Sequence, residues 1–192
     1  FLVTMAMSMI IEGGYYIYTK GIAKGSIATG IRFISEGWIG IVPIAAIIWL
    51  VIWLVLSVVL HHTPYGHRLY ITGGNQDASR LSGFKSKEIV ISAYVLCSLL
   101  AGIGGLLLSA YIGTASTGVG ADYTLNSIAS SVIGGTSFLG GIGSLEGTFP
   151  GVLITNILQS LMTIIGISEA GKFITQGIVI AVRVAINQRK RR

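Results

Sequence analysis

The chain has 192 residues, of which 52% are hydrophobic and only 10% charged, against about 25% charged in ordinary soluble domains. So few ionic groups cannot coat a water-facing surface, which excludes a cytosolic globule; the high hydrophobicity excludes a disordered chain. Glycine is the outlying count, at 27 residues with only 3 prolines and no G-X-Y period, so it does not make collagen and points to a polytopic helical membrane protein with closely packed helices.

A membrane-spanning helix needs about 20 apolar residues. In chain order, residues 1–18, 39–60, 89–112, 148–167 and 173–186 are the candidate runs. The first opens on Phe1-Leu2-Val3, already apolar and without a starting Met, so the chain is expected to be a piece of a longer protein that lacks N-terminal spans. No basic region precedes that run and no small-residue cleavage site ends it, so it does not read as a signal peptide. Residues 123–141 are apolar enough to enter lipid, yet short and rich in Ser and Gly. None of these runs alternates with the period of two that a membrane barrel needs.

Charge gives the sidedness. Arg68, Arg80, Lys85 and Lys87 lie within 61–88, and the chain closes on Arg189, Lys190, Arg191 and Arg192, so the loop 61–88 and the tail 187–192 are both expected in the cytoplasm. Two cytoplasmic ends require an even number of crossings between them. The three clear runs in that interval are odd in number, so 123–141 must supply a fourth. As an unbroken helix it would rise about 28 Å, but Gly134-Gly135 should break it. The expected fold is therefore an all-α bundle of about six crossings, one of them short or broken. This scheme leaves Lys20, Lys24 and Arg32 outside, against the usual bias. The tail has the form that holds topology and meets anionic lipid, and no basic face with interleaved aromatics exists to bind nucleic acid.

Several motifs fail on inspection. Gly166-Ile-Ser-Glu-Ala-Gly171-Lys172 opens like a phosphate-binding loop, but Phe173 stands where the magnesium-binding Ser or Thr is required. Nucleotide binding is therefore not expected here, and any ATP the system uses would be hydrolysed on another chain. His61, His62 and His67 have no accompanying carboxylate or cysteine and read as polar residues at the end of a span rather than metal ligands. Cys97 is alone, which excludes an internal disulfide or a cysteine metal cluster. No nucleophile elbow collects the scattered Ser, His and Asp residues, so no enzyme and no cofactor is expected. Charge inside the runs is limited to Glu12 and Arg183, whereas ion-coupled carriers place acids near the midplane. That scarcity suits a neutral polar cargo.

Glycine and small residues recur four apart at Gly143, Gly147 and Gly151, and again through Ser98, Ala101, Gly102 and Gly105, a spacing that lets helices approach closely. The hydroxyls and amide of Thr124, Asn126, Ser127, Ser130, Ser131, Thr136 and Ser137 fit either packing or a hydrophilic route along a broken segment. Asn126, Ser130, Thr136 and Ser137 are the candidates for that translocation pathway. In the loop, Asn75 is placed to cap a short helix, Asp77 and Arg80 suit its first and last turns, and Gly83 suits a left-handed close. Two turns of helix are unstable alone, so this one should rest on the membrane surface or dock against a partner.

Gly73-Gly74-Asn75-x-x-Ala78-x-x-Leu81-Ser82-Gly83 resembles the cytoplasmic coupling loop of bacterial ABC-importer permeases of the ribose, galactose and xylose type. The likeness extends through His61-His62-Thr63-Pro64-Tyr65-Gly66, Ser98-Leu99-Leu100-Ala101-Gly102, and Val132-Ile133-Gly134-Gly135-Thr136-Ser137 with Gly140-Gly141-x-Gly143-Ser144-x-x-Gly147-Thr148. Three positions depart from the pattern: Ser79 stands where a second alanine is usual, Phe84 replaces an aliphatic residue, and Gln76 replaces an acid. The resemblance implies a permease subunit in the bacterial inner membrane, part of a homo- or heterodimer of permeases with two cytosolic ATPases and an extracytoplasmic sugar-binding protein. Gly73, Gly74, Asn75, Asp77, Ala78, Arg80, Leu81, Ser82 and Gly83 would form the ATPase-coupling site, and residues 1–192 the C-terminal portion of one permease domain. The same architecture also serves nucleosides or branched-chain amino acids. An ion-coupled carrier or channel without an ATPase is the alternative from another class.

Overall fold

The computed structural model describes residues 2–22, 27–115, 118–137 and 140–189. Lys24, the last three residues of the basic tail and the Arg183 side chain lie outside the described residues. Those described form nine helices and one small hairpin. In order these are α1 (Leu2–Thr19), α2 (Thr29–Glu36), β1 (Trp38–Ile39), β2 (Val42–Pro43), α3 (Ile44–His62), α4 (Pro64–Gly74), α5 (Gln76–Leu81), α6 (Ser86–Ile112), α7 (Ala121–Ile133), α8 (Leu145–Ile164) and α9 (Glu169–Arg189).

Among the described residues, α3 and α6 are the helices both long and apolar enough to cross a membrane. The apolar run expected from residue 39 starts later as helix. Trp38 pairs with Pro43 and Ile39 with Val42 in an antiparallel hairpin, turned by Gly40 at φ +65. Pro43 lacks the N–H that an internal helical turn needs, so α3 begins after it. By contrast, the break expected at Gly134-Gly135 is present. The N–H groups of Gly135 and Thr136 bond back to the carbonyls of Val132 and Ser131, with Gly135 at φ +98; this is the six-residue glycine close that ends a helix.

The chain forms two compact units, Phe1–Val51 with Cys97–Ala121 and Ile52–Leu96 with Asp122–Arg192. In the first, the Tyr15 hydroxyl donates to the Ala115 carbonyl at 3.1 Å and Ser35 donates to the Leu107 carbonyl at 2.8 Å. Arg32 and Glu36 pair on the surface of α2 at 2.9 Å; that hydrogen bond, and then the carboxylate charge, raise the guanidinium pKa above its ordinary value. At Gly102, Gly104 and Gly105 of α6 the close approach that their size permits is not used, because a Cβ added there meets nothing within 4 Å among the described residues. Small residues permit close approach but do not supply the neighbour.

In the second unit they do have neighbours. A Cβ on Gly134 would lie 2.5 Å from the Gly147 carbonyl oxygen, and one on Gly151 would lie 2.8 Å from the Gly134 nitrogen. Here α7 and α8 cross backbone to backbone. Burial across the described residues is inverted relative to a water-soluble protein. The buried apolar side chains are Ile89, Ala110 and Ala129, whereas the buried polar residues are all Ser or Thr, and Leu, Ile and Val line the outside. A hydroxyl interior and an apolar exterior are what lipid, rather than water, selects.

Candidate functional site: a braced loop helix and a polar cleft

The coupling-loop candidates fall on the end of α4 and on α5. The Asn75 side chain accepts from the backbone N–H groups of Asp77 and Ala78, both at 3.0 Å, which satisfies two of the donors a helix start leaves open. At the other end, Gly83 at φ +80 lets its own N–H reach the Arg80 carbonyl and the Phe84 N–H reach the Ser79 carbonyl. Ser82 adds a hydroxyl bond to the Ala78 carbonyl at 2.9 Å. Gly73, Gly74, Asn75, Asp77, Ala78, Arg80, Leu81, Ser82 and Gly83 are all exposed, and Leu81 reaches 90% exposure.

Two of the three departures from the family pattern acquire partners. Ser79 is fully buried, and its hydroxyl meets Thr72 on α4 at 2.9 Å and Ser86 on α6 at 3.1 Å. An alanine would fill the space without joining those helices. Phe84 places its ring 5.5 Å from the Arg68 guanidinium carbon, a cation–π contact that an aliphatic side chain does not make. Nothing in the structure explains Gln76 in place of an acid.

Behind α5, the chain touches the loop after α7. A Cβ on Gly73 would stand 3.1 Å from the Gly141 nitrogen, and one on Gly141 would stand 2.6 Å from the Gly74 Cα. The Tyr70 hydroxyl crosses the same junction to the Gly143 carbonyl at 2.9 Å. The glycine pairs at 73–74 and 140–141, read separately in the sequence, thus form one contact.

The pathway candidates divide. Asn126 and Ser130 line a cleft of about 580 Å³ between α7, α8 and α9. Ser137 instead is buried in the loop after α7, bonded through its N–H to the Ile142 carbonyl, and Thr136 lies against Gly143. The cleft gathers Tyr123, Asn126, Ser127 and Ser130 of α7; Thr155, Asn156, Gln159, Ser160 and Thr163 of α8; and Glu169, Lys172, Phe173 and Gln176 of α9. Each set follows helical spacing of three and four, which was the signal available in the sequence for the residues on α8 and α9 that pattern reading missed. At its centre, Asn126 Oδ1 accepts from Gln159 Nε2 at 2.7 Å and from Gln176 Nε2, so one amide ties three helices. The Gln176 Oε1 is buried with no donor among the described residues. Lys172 holds Glu169 at 2.7 Å.

The former phosphate-loop lookalike is the turn between α8 and α9, closed by Gly166 at φ +80. His61 and His67 each turn Nδ1 toward the carbonyl four residues earlier, at 3.1 and 3.4 Å.

An apolar exterior around buried hydroxyls, with an amide-lined cleft and a braced loop helix, defines the class as a helical membrane protein of the transport kind. Residues 1–183 match the family described as the permease component of branched-chain amino acid transport systems, and the chain belongs to that family. It is similar to the ribose import permease protein of Bacillus subtilis strain 168, with 33% identity over 99% of this chain and 60% of that protein. Identity to the ribose import permease protein of Escherichia coli K12 is 34%, again over 99% and 60%. Identity to the galactose/methyl galactoside import permease protein of Treponema pallidum is 33%, over 99% of this chain and 37% of that protein. The chain therefore spans 60% or less of the length of these relatives. No solved structure matches it.

Proposed function

We propose that the chain is part of the membrane-embedded permease subunit of an ATP-driven importer, passing a monosaccharide delivered by an extracytoplasmic binding protein. It pairs with a second permease subunit in the bacterial inner membrane, and ATP is hydrolysed on separate cytosolic ATPases. Residues 1–192 form the C-terminal portion of one permease domain with six crossings: α1, α3, α6, α7 with the loop after it, α8 and α9. The 13 residues of α7 rise only about 20 Å, short of the ~30 Å hydrocarbon core. The contact of Gly141 with Gly73 and Gly74 supports the short fourth crossing, because it returns the loop after α7 to the side that carries α4 and α5.

The observation that carries the reading is α5. A six-residue helix is capped at both ends and braced from behind by Ser79, yet leaves Leu81 almost wholly exposed beside Arg80. We assign this knob to a groove of the ATPase. ATP-driven closure would move it and, through the junction at Gly73 and Gly141, shift the permease between outward- and inward-facing states. Burying one Leu side chain is worth about 1.5–3 kcal/mol, so Leu81→Asp in the full-length transporter should reduce ATPase co-purification at least tenfold, and uptake with it. Arg80→Glu tests the same face by charge. Wild-type association and uptake in both variants would overturn the docking role.

The family description keeps one other cargo in view, branched-chain amino acids. Uptake of labelled ribose, galactose, xylose and leucine by the intact system decides between them.

A further inference from the structure

We propose that the α7–α9 cleft is a binding station for a neutral, hydroxyl-rich ligand of the monosaccharide class, read by the amides of Asn126, Gln159 and Gln176. This rests on the importer reading above and adds a defined site, with Gln159 and Gln176 as residues that determine specificity.

The cleft volume of about 580 Å³ falls within the ~300–1,000 Å³ range of small-molecule sites. Its electrostatics favour a neutral cargo. Lys172 and Glu169, the charged residues of the lining, are bonded to each other, so neither the carboxylate nor the ammonium of an amino acid finds an unpaired counter-charge there.

Its hydrogen-bonding character is equally selective. Ser127, Ser130, Thr155 and Thr163 all donate their hydroxyl protons back to their own helices, three or four residues earlier. What remains on each oxygen is acceptor capacity. Gln176 Oε1 adds a buried acceptor with no donor among the described residues. A wall of acceptors calls for a ligand rich in O–H donors, which a sugar supplies and a carboxylate does not. The amide N–H groups of Asn126 and Asn156 provide the complementary donors. Tyr123 and Phe173 line the same cleft and supply aromatic surface suited to the C–H face of a pyranose or furanose.

The amides sit at the floor. Gln159 and Gln176 also line a smaller apolar cavity of about 20 Å³, so the polar surface ends at them. In the proposed topology the α8–α9 turn is extracytoplasmic, which opens the cleft toward the binding protein, with the amide cluster as the first barrier inward.

The test uses the complete transporter in liposomes, with uptake of ribose, galactose, xylose and leucine measured first in the wild type. For the sugar transported best, uptake is then compared with that of its deoxy analogues, at saturating binding protein, in the wild type, Gln176→Leu and Gln159→Met. One binding protein serves every variant, so a changed sugar-to-deoxysugar ratio reports the permease. We expect sugar uptake to fall about tenfold in both variants, the ratio for at least one hydroxyl to move toward one, and ATPase stimulation by loaded binding protein to persist. Stimulation shows that the variant is folded and coupled. An unchanged ratio with wild-type uptake overturns the binding station and leaves the importer reading standing. Loss of uptake together with stimulation in Gln176→Leu, with Gln159→Met normal in uptake and ratio, also overturns it. Wild-type uptake of leucine and none of the sugars overturns the importer's proposed cargo itself.

Discussion

Where the loop after α7 meets the end of α4, contact is made by backbone on backbone; where α7, α8 and α9 surround the cleft, it is made by side-chain amides and hydroxyls. At the first place Gly73, Gly74, Gly140 and Gly141 leave no side chain between two main chains. At the second, Asn126 bonds directly to Gln159 and Gln176 beside open space that the lining does not fill. Glycine contact tolerates almost no change in separation, because interiors are close-packed and bistable rather than compressible. Amides around a cleft can exchange partners at little cost. In the proposed importer, the first would transmit movement of α5 and the second would hold and release cargo.

The most severe way to break this contrast is to thicken the glycine junction. Gly141 lies at φ +72, and a methyl group there would sit 2.6 Å from the Gly74 Cα. Left-handed backbone costs a non-glycine residue about 1–2 kcal/mol, and overpacking adds about 1–3 kcal/mol. Gly141→Ala is expected to lower the detergent-solubilised protein's unfolding midpoint clearly and to uncouple ATPase activity from uptake. If its stability and coupling match the wild type, direct backbone contact is not what joins α5 to the rest.

A milder change removes only the hydroxyl that crosses the same junction. Tyr70→Phe keeps the ring and deletes one bond to the Gly143 carbonyl, a loss of about 1 kcal/mol. Folding should survive, and the amount of ATP hydrolysed per sugar transported should rise. An unaltered ratio would confine the coupling to the glycines.

How much of this was legible beforehand follows the range of each interaction. The Asn75 cap, the Gly83 close and the break at Gly134-Gly135 are decided within five residues, and the sequence pattern contains all of them. The hairpin at Trp38–Ile39 and Val42–Pro43 was hidden at the start of an apolar run, where hydropathy speaks louder than one proline and one glycine. The amide cluster joins residues 33 and 50 positions apart, a pairing that no local signal encodes. Only the polar stripes on α8 and α9 hinted at it. Thr136 and Ser137 belong to the same polar stretch as Asn126 and Ser130, but the helix ends before them, so helical spacing no longer carries them to the cleft. Ser79 shows the limit from the other side: its departure from the family pattern was visible, and its hydroxyl contacts were not.

The smallest expected effect tests glycine where the chain gives it no neighbour. Gly102 lies inside α6, and an added Cβ there meets nothing within 4 Å. Replacing an open helical glycine by alanine restricts the unfolded chain and favours helix by about 0.5–1 kcal/mol. Gly102→Ala should therefore leave the unfolding midpoint equal or slightly raised, the opposite sign to Gly141→Ala. A lowered midpoint would mean that another surface closes on this face in the assembled protein, since the chain's own described residues offer none. The same residue type then divides by what stands opposite it: backbone at Gly141, and open space at Gly102.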